Sequence, residues 1–143
     1  MYKALLISKY IVKRCNDTKR AISNLKLQKL LYFVQAEFLV SKKKPCFKEH
    51  IEAWNFGPVV PDVYYEYKGY GSANIPYMRK ERFDEIAEAD KKLINEVVDE
   101  CAVYSASALV DITHHQLPWK NVYSPYSNNV ITNKSIKNYF EEM

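Results

Sequence analysis

Between Ser23 and Pro45 the sequence leaves little freedom of secondary structure. Leu27, Leu30, Leu31, Val34 and Phe38 follow an i, i+3, i+4, i+7, i+11 spacing. That spacing lines up one face of an α-helix and no single face of a strand. Ser23 is suited to cap the first turn. The helix is predicted from about Asn24 to Lys42, ending before Pro45. Lys42, Lys43 and Lys44 then sit at its C-terminal end, where positive charge suits the helix dipole. Three lysines are too few for a nuclear signal.

Other segments arrange themselves around this helix. Ala4, Ile7 and Ile11 predict an amphipathic helix over Lys3 to Cys15, broken by Asn16-Asp17-Thr18. Ile51 to Phe56 alternates loosely and reads as a short strand, punctuated by Gly57-Pro58. Pro61 suits a first helical position, with Val63, Tyr64, Tyr67 and Tyr70 following at helical spacing and Gly69 and Gly71 ending the run. Residues 72–90 read as a surface connection through Arg79-Lys80-Glu81-Arg82, with a weak strand signal near Ile75 to Met78. Asp90 to Tyr104 is strongly amphipathic: Leu93, Ile94, Val97, Val98 and Cys101 share a face. Ser105 or Ser107 can cap a short helix with Leu109, Ile112 and Thr113 inward, stopped by Pro118. A polar loop from Tyr123 to Asn129 leads to a last helix near Lys134 to Glu142, with Thr132 as its cap. The expected fold is mainly α: one compact helical bundle over residues 1–143, with five to six helices and up to two short β-strands.

Composition excludes several function classes. Only three glycines occur in 143 residues, all between Gly57 and Gly71. GxGxxG and GxxxxGK[ST] are absent, so no nucleotide-phosphate loop is expected. Cys15, Cys46 and Cys101 are odd in number and far apart, which suits reduced thiols in the cytoplasm. No apolar run is long enough for a membrane span, and the N-terminus lacks a signal-peptide pattern. Net charge is +4, but residues 1–72 carry +7 and residues 73–143 carry −3. A basic half can meet nucleic acid or an acidic protein, and solvated helix faces account for it equally well. His50, His114 and His115 with three scattered cysteines do not match a metal-ligand spacing. GxSxG is absent, and Glu49 and Glu52 lie outside any predicted helix. No catalytic residue, cofactor or metal is expected.

Twelve Tyr, six Phe and two Trp leave a different signal. One aromatic segment is Glu52-Ala53-Trp54-Asn55-Phe56-Gly57-Pro58-Val59-Val60-Pro61, and the other is Thr113-His114-His115-Gln116-Leu117-Pro118-Trp119. Both can be corners that pack Trp54 and Trp119 into the core. Both can also be rigid aromatic contact surfaces, since Trp and Tyr dominate binding hot spots. Trp54, Phe56, Pro58, Tyr64, Tyr67, Tyr70 and His114 are the candidate partner-binding residues.

The same segments carry a family resemblance. Leu25-Lys26-Leu27-Gln28-Lys29-Leu30-Leu31-Tyr32-Phe33-Val34-Gln35 resembles the LKLQKLLYYAQ signature of the Panacea domain, the family of SocA-type antitoxins and GepA-like phage-associated proteins. Ile51 to Tyr64 resembles its EAWxxGPVxPxVY segment, and Tyr67-Lys68-Gly69-Tyr70-Gly71 its YKxYG. Leu109, Thr113-His114 and Pro118-Trp119 resemble its L…TH…PW segment. His115-Gln116 departs from the acidic residue common after the TH pair. The resemblance implies a small helical domain that neutralises a cognate toxin by protein–protein contact in a type II toxin–antitoxin pair, often on a prophage or plasmid. It brings no catalytic residues. One branch implies an alternative role as a protease adaptor that delivers the toxin for degradation. Some members carry an N-terminal DNA-binding module. The chain begins almost at the domain itself, so operator binding is not expected from it. A nucleic-acid-binding regulatory role for the basic half is the remaining alternative.

Overall fold

A computed structural model describes residues 1–77 and 81–143. Side-chain caps open α-helices at Ser23, Ser105 and Thr132, and the other described helices start without one. α1 (Ala4–Asp17) has no side-chain cap of its own, and its Ala4 N–H donates instead to Glu49 Oε1 at 3.0 Å. α2 (Asn24–Ser41) is capped by Ser23, whose hydroxyl accepts from the Lys26 N–H at 3.2 Å. α3 (Pro61–Tyr67) opens on proline and runs into a 3₁₀ turn over Lys68–Tyr70. α4 (Glu88–Cys101) has Glu88 and Asp90 in its first turn, where the dipole favours acids. Ser105 caps α5 (Ala106–His114), and Thr132 caps α7 (Asn133–Glu141).

The mainly α expectation holds, with seven helices and a small sheet among the described residues. Pro118 does not simply stop α5. It lies in the first turn of a separate four-residue helix, α6 (Leu117–Lys120), where the N–H that proline lacks has no intrahelical role. Ile112 is exposed where it was expected inward. α5 meets the core through Leu109 and Thr113, four residues apart, and that pairing turns Ile112 outward. The first strand, β1 (Ile51–Trp54), forms as expected. It pairs antiparallel with β2 (Gly57–Val59) on one side and with β3 (Asn129–Ile131) on the other. β3 falls where the sequence predicts only the end of a polar loop at Asn129 and the approach to the Thr132 cap. Asn129 and Val130 are exposed, so no apolar alternation announces it.

The strand signal near Ile75 to Met78 is not realised: Ile75, Pro76 and Tyr77 form no strand, and Met78 lies outside the described residues, as do Arg79 and Lys80 of the surface connection. Ile75 is instead a buried anchor. Its N–H donates to Ile22 O at 2.8 Å, while Asn74 Oδ1 accepts from the Ile22 N–H at 2.7 Å.

α2 is the centre of the molecule, packed against α1, α3, α4, α5, α7 and β2. Leu27, Leu30, Leu31, Val34 and Phe38 are all buried, as their spacing requires. Cys15 and Cys46 are buried free thiols and Cys101 is half-buried. No helix among the described residues is long and apolar enough to cross a membrane.

Candidate functional site

The polar residues of α2 do not form a solvated face. Gln28, Lys29, Tyr32 and Gln35 are buried along with the leucines. Each meets a definite partner, as burial of a polar group requires. Gln28 Oε1 accepts from the Val60 N–H at 2.9 Å, and its amide donates to Asn24 Oδ1 at 2.9 Å. Tyr32 donates its hydroxyl to Gln116 Oε1 at 2.8 Å. Gln35 Oε1 accepts from the N–H groups of Cys46 and Phe47, and its amide donates to Phe47 O. These bonds fasten the β1–β2 hairpin, the loop before it and the α5–α6 junction to the central helix.

Lys29 is the deepest of them. It has no exposed surface, and burial pushes its ammonium down to about 7 from an ordinary value of 10.5. Its Nζ donates to Pro58 O at 2.9 Å. The lysine stem lies against Gly57, whose φ of +103° suits glycine alone. A Cβ on Gly57 would stand 2.7 Å from Lys29 Cε and 2.9 Å from Thr113 Oγ1. Three motif segments, one each from α2, the hairpin and α5, therefore converge on one spot with no room for another carbon.

The tip of the hairpin, Asn55-Phe56, projects from that anchor and is gripped by a ladder of rings. His114 stacks on Trp119 at 4.1 Å, and Trp119 stacks on Tyr123 at 4.4 Å. Trp119 Nε1 donates to Trp54 O at 2.8 Å. His114 Nε2 lies 3.0 Å from Asn55 O, which can only accept, so Nε2 carries the hydrogen. Tyr123 donates its hydroxyl to Asn55 Oδ1 at 3.0 Å. Trp54 at the end of β1 packs edge to face with Tyr64 and Tyr65 of α3, with centroids 5.0 to 6.1 Å apart.

The seven candidate residues divide into three groups. Trp54, Tyr64 and Phe56 lie at or beside the hairpin tip, the first two half-buried and Phe56 59% exposed. Pro58 is buried and His114 is half-buried in the ring ladder; both hold the hairpin in place. Tyr67 and Tyr70 pair with each other at 6.3 Å and line a separate cleft of about 270 Å³ with Lys9, Ile75 and Tyr77. Burial raises the Tyr67 hydroxyl above its ordinary value. Sequence reasoning missed Tyr65, which is 61% exposed with the Lys68 ammonium 5.8 Å from its ring. It also missed Lys29. No local signal marks Lys29, whose burial depends on Gly57 and Pro58 meeting α2 in the fold. Among the described residues no group of three or more His, Cys, Asp or Glu is placed to hold a metal ion.

The three segments that meet at Lys29 lie inside one match to known proteins. A family model described as antitoxin SocA-like, Panacea domain, matches residues 27–120. The chain belongs to this family. Antitoxin SocA of Caulobacter vibrioides (strain NA1000 / CB15N) is 60% identical over 43 residues, which is 30% of this chain and 23% of that protein. The chain thus matches less than a quarter of the length of that curated relative. No solved structure matches. Residues 27–120 of this Panacea domain contain the buried polar network except Asn24 and Asn133, the partners of Gln28 and Gln35, and they contain the hairpin and two of the three ladder residues, His114 and Trp119.

Proposed function

We propose that this Panacea domain neutralises a cognate toxin by direct protein–protein contact, as the antitoxin of a type II pair. We assign the contact to the hairpin tip and the adjoining face of α3. One observation carries the reading: Phe56 and Tyr65 are large aromatic side chains, 59% and 61% exposed, on backbone that interior bonds hold in place. Aromatic groups that are rigid before binding contribute area to an interface at small cost in side-chain entropy. Trp54 and Tyr64 extend that surface from its half-buried edge. Pro58 and His114 act beneath it, and Tyr67 and Tyr70 sit to one side in their cleft.

The test is co-expression with the product of the neighbouring reading frame. Relief of its toxicity together with a stable co-purified complex is the expected result. Phe56→Ala and Tyr65→Ala are expected to weaken that complex about tenfold or more each, while the melting temperature stays close to that of the parent. Rescue accompanied by disappearance of the toxin would replace masking with delivery to a protease. Undiminished affinity in both variants would remove the hairpin face from the contact.

A further inference from the structure

Helix α2 is covered on almost every side, and one strip of it is left open. Phe33, Glu37 and Val40 follow i, i+4, i+7 along that strip, and each is half-buried. α4 borders it with Val97, Glu100 and Cys101, and Phe140 of α7 closes the far side. The result is a groove of about 240 Å³. From Phe33 to Val40 it runs about 10 Å, or two helical turns. Its floor and walls are apolar, and its rim is acidic. Neither Glu37 nor Glu100 forms an ion pair among the described residues; Glu37 accepts a hydrogen bond from the Ser41 hydroxyl one turn on. Lys26, close enough to Cys101 to act on its thiol, donates from Nζ to Ala102 O and leaves both rim carboxylates without an ion pair.

We propose that this groove docks an amphipathic helical segment of a partner protein, about two turns long. Apolar anchors at i and i+4 enter between α2 and α4, and flanking Lys or Arg side chains meet Glu37 and Glu100. A third helix laid beside two packed helices can interdigitate with both at the usual spacing of about 8–10 Å. The open strip belongs to helices, with no free strand edge in it to pair with an extended peptide. The acidic rim selects basic partners and repels nucleic acid. The groove shares no residue with the hairpin face, so it stands or falls apart from the toxin contact.

Cys101 supplies a reporter, since it lies in the groove while Cys15 and Cys46 are buried. The experiment selects binders to the whole chain from a displayed library of random helical peptides about 15 residues long, a length at which an isolated helix begins to hold. Recovered peptides are expected to carry paired apolar residues flanked by Lys or Arg. At saturation they should slow alkylation of Cys101 by N-ethylmaleimide about tenfold. The double variant Glu37→Gln, Glu100→Gln should bind them about tenfold more weakly. Both changes are isosteric and lie at the rim, and circular dichroism checks that the variant folds. If it does not, the alkylation rate of the parent chain still decides. Failure to recover binders, a set without basic enrichment, or binders that leave Cys101 alkylation unchanged would each overturn the proposal.

Discussion

The run from Leu25 to Gln35 and the run from Glu52 to Tyr65 are equally rich in motif residues, yet they face opposite ways. In the first, Gln28, Lys29, Tyr32 and Gln35 all turn inward and bond to backbone or side chains of other segments. In the second, Phe56 and Tyr65 turn outward from a hairpin whose own backbone is held by those inward groups. The difference teaches that a motif need not touch a partner to serve binding. The α2 residues fix the geometry, and the hairpin residues use it. This division also explains why polar side chains sit in the core. An apolar residue at Lys29 would leave Pro58 O without its donor, and an unsatisfied buried carbonyl costs about 1–3 kcal/mol.

The sharpest way to break this arrangement is Gly57→Ala. The new Cβ would collide with Lys29 and Thr113, and the residue would be held at a φ of +103°. Backbone strain and overpacking together predict a loss of about 2–5 kcal/mol in chemical denaturation. Lys29→Met tests the inward side by its pH dependence. The folded lysine titrates near 7 and the unfolded one near its ordinary 10.5, so between these values the unfolded chain binds more protons. Stability of the parent should therefore rise with pH, by about 2 kcal/mol from pH 7 to 9 from this group, and the variant should lose that rise. The comparison belongs below pH 9. Above it Cys15 and Cys101, raised by burial to about 11 from 9.0, act in the opposite direction.

Tyr32→Phe is a smaller change. It strips Gln116 Oε1 of its buried donor and is expected to cost about 1–2 kcal/mol, read from the denaturation midpoint at unchanged slope. Phe56→Ala should have the least effect on folding, within about 0.5 kcal/mol, because its ring is mostly in water. A large loss of stability there would blur the line between the two regions.

Much of this was legible in the chain itself. Amphipathic runs located α1, α2, α4 and α7 to within about three residues, helped at α2 and α7 by the caps Ser23 and Thr132, because apolar spacing and Ser or Thr caps are local signals. The aromatic segments were visible too, but their roles were not. His114 and Phe56 look alike as exposed aromatic candidates, yet one is stacked on Trp119 and bonded to the hairpin backbone while the other is open. β3 escaped notice because a three-residue strand with two exposed side chains exists only through its pairing with β1. Ile75 reads as part of a strand because its true partners are distant: Ile22 and Asn16, each more than fifty residues away, bond to its backbone, and its side chain packs in the core.

The sequence by itself determined the helical class, the central place of α2 and the family to which the motifs point. It did so because 3.6-residue periodicity and capping act between near neighbours. Tertiary structure alone decided that Lys29 is interior, that Gly57 must be glycine and that the aromatic candidates separate into supports and exposed contacts. Those properties depend on which distant groups meet in space, here Lys29 with Pro58 and Trp119 with Trp54, and no local pattern encodes that encounter.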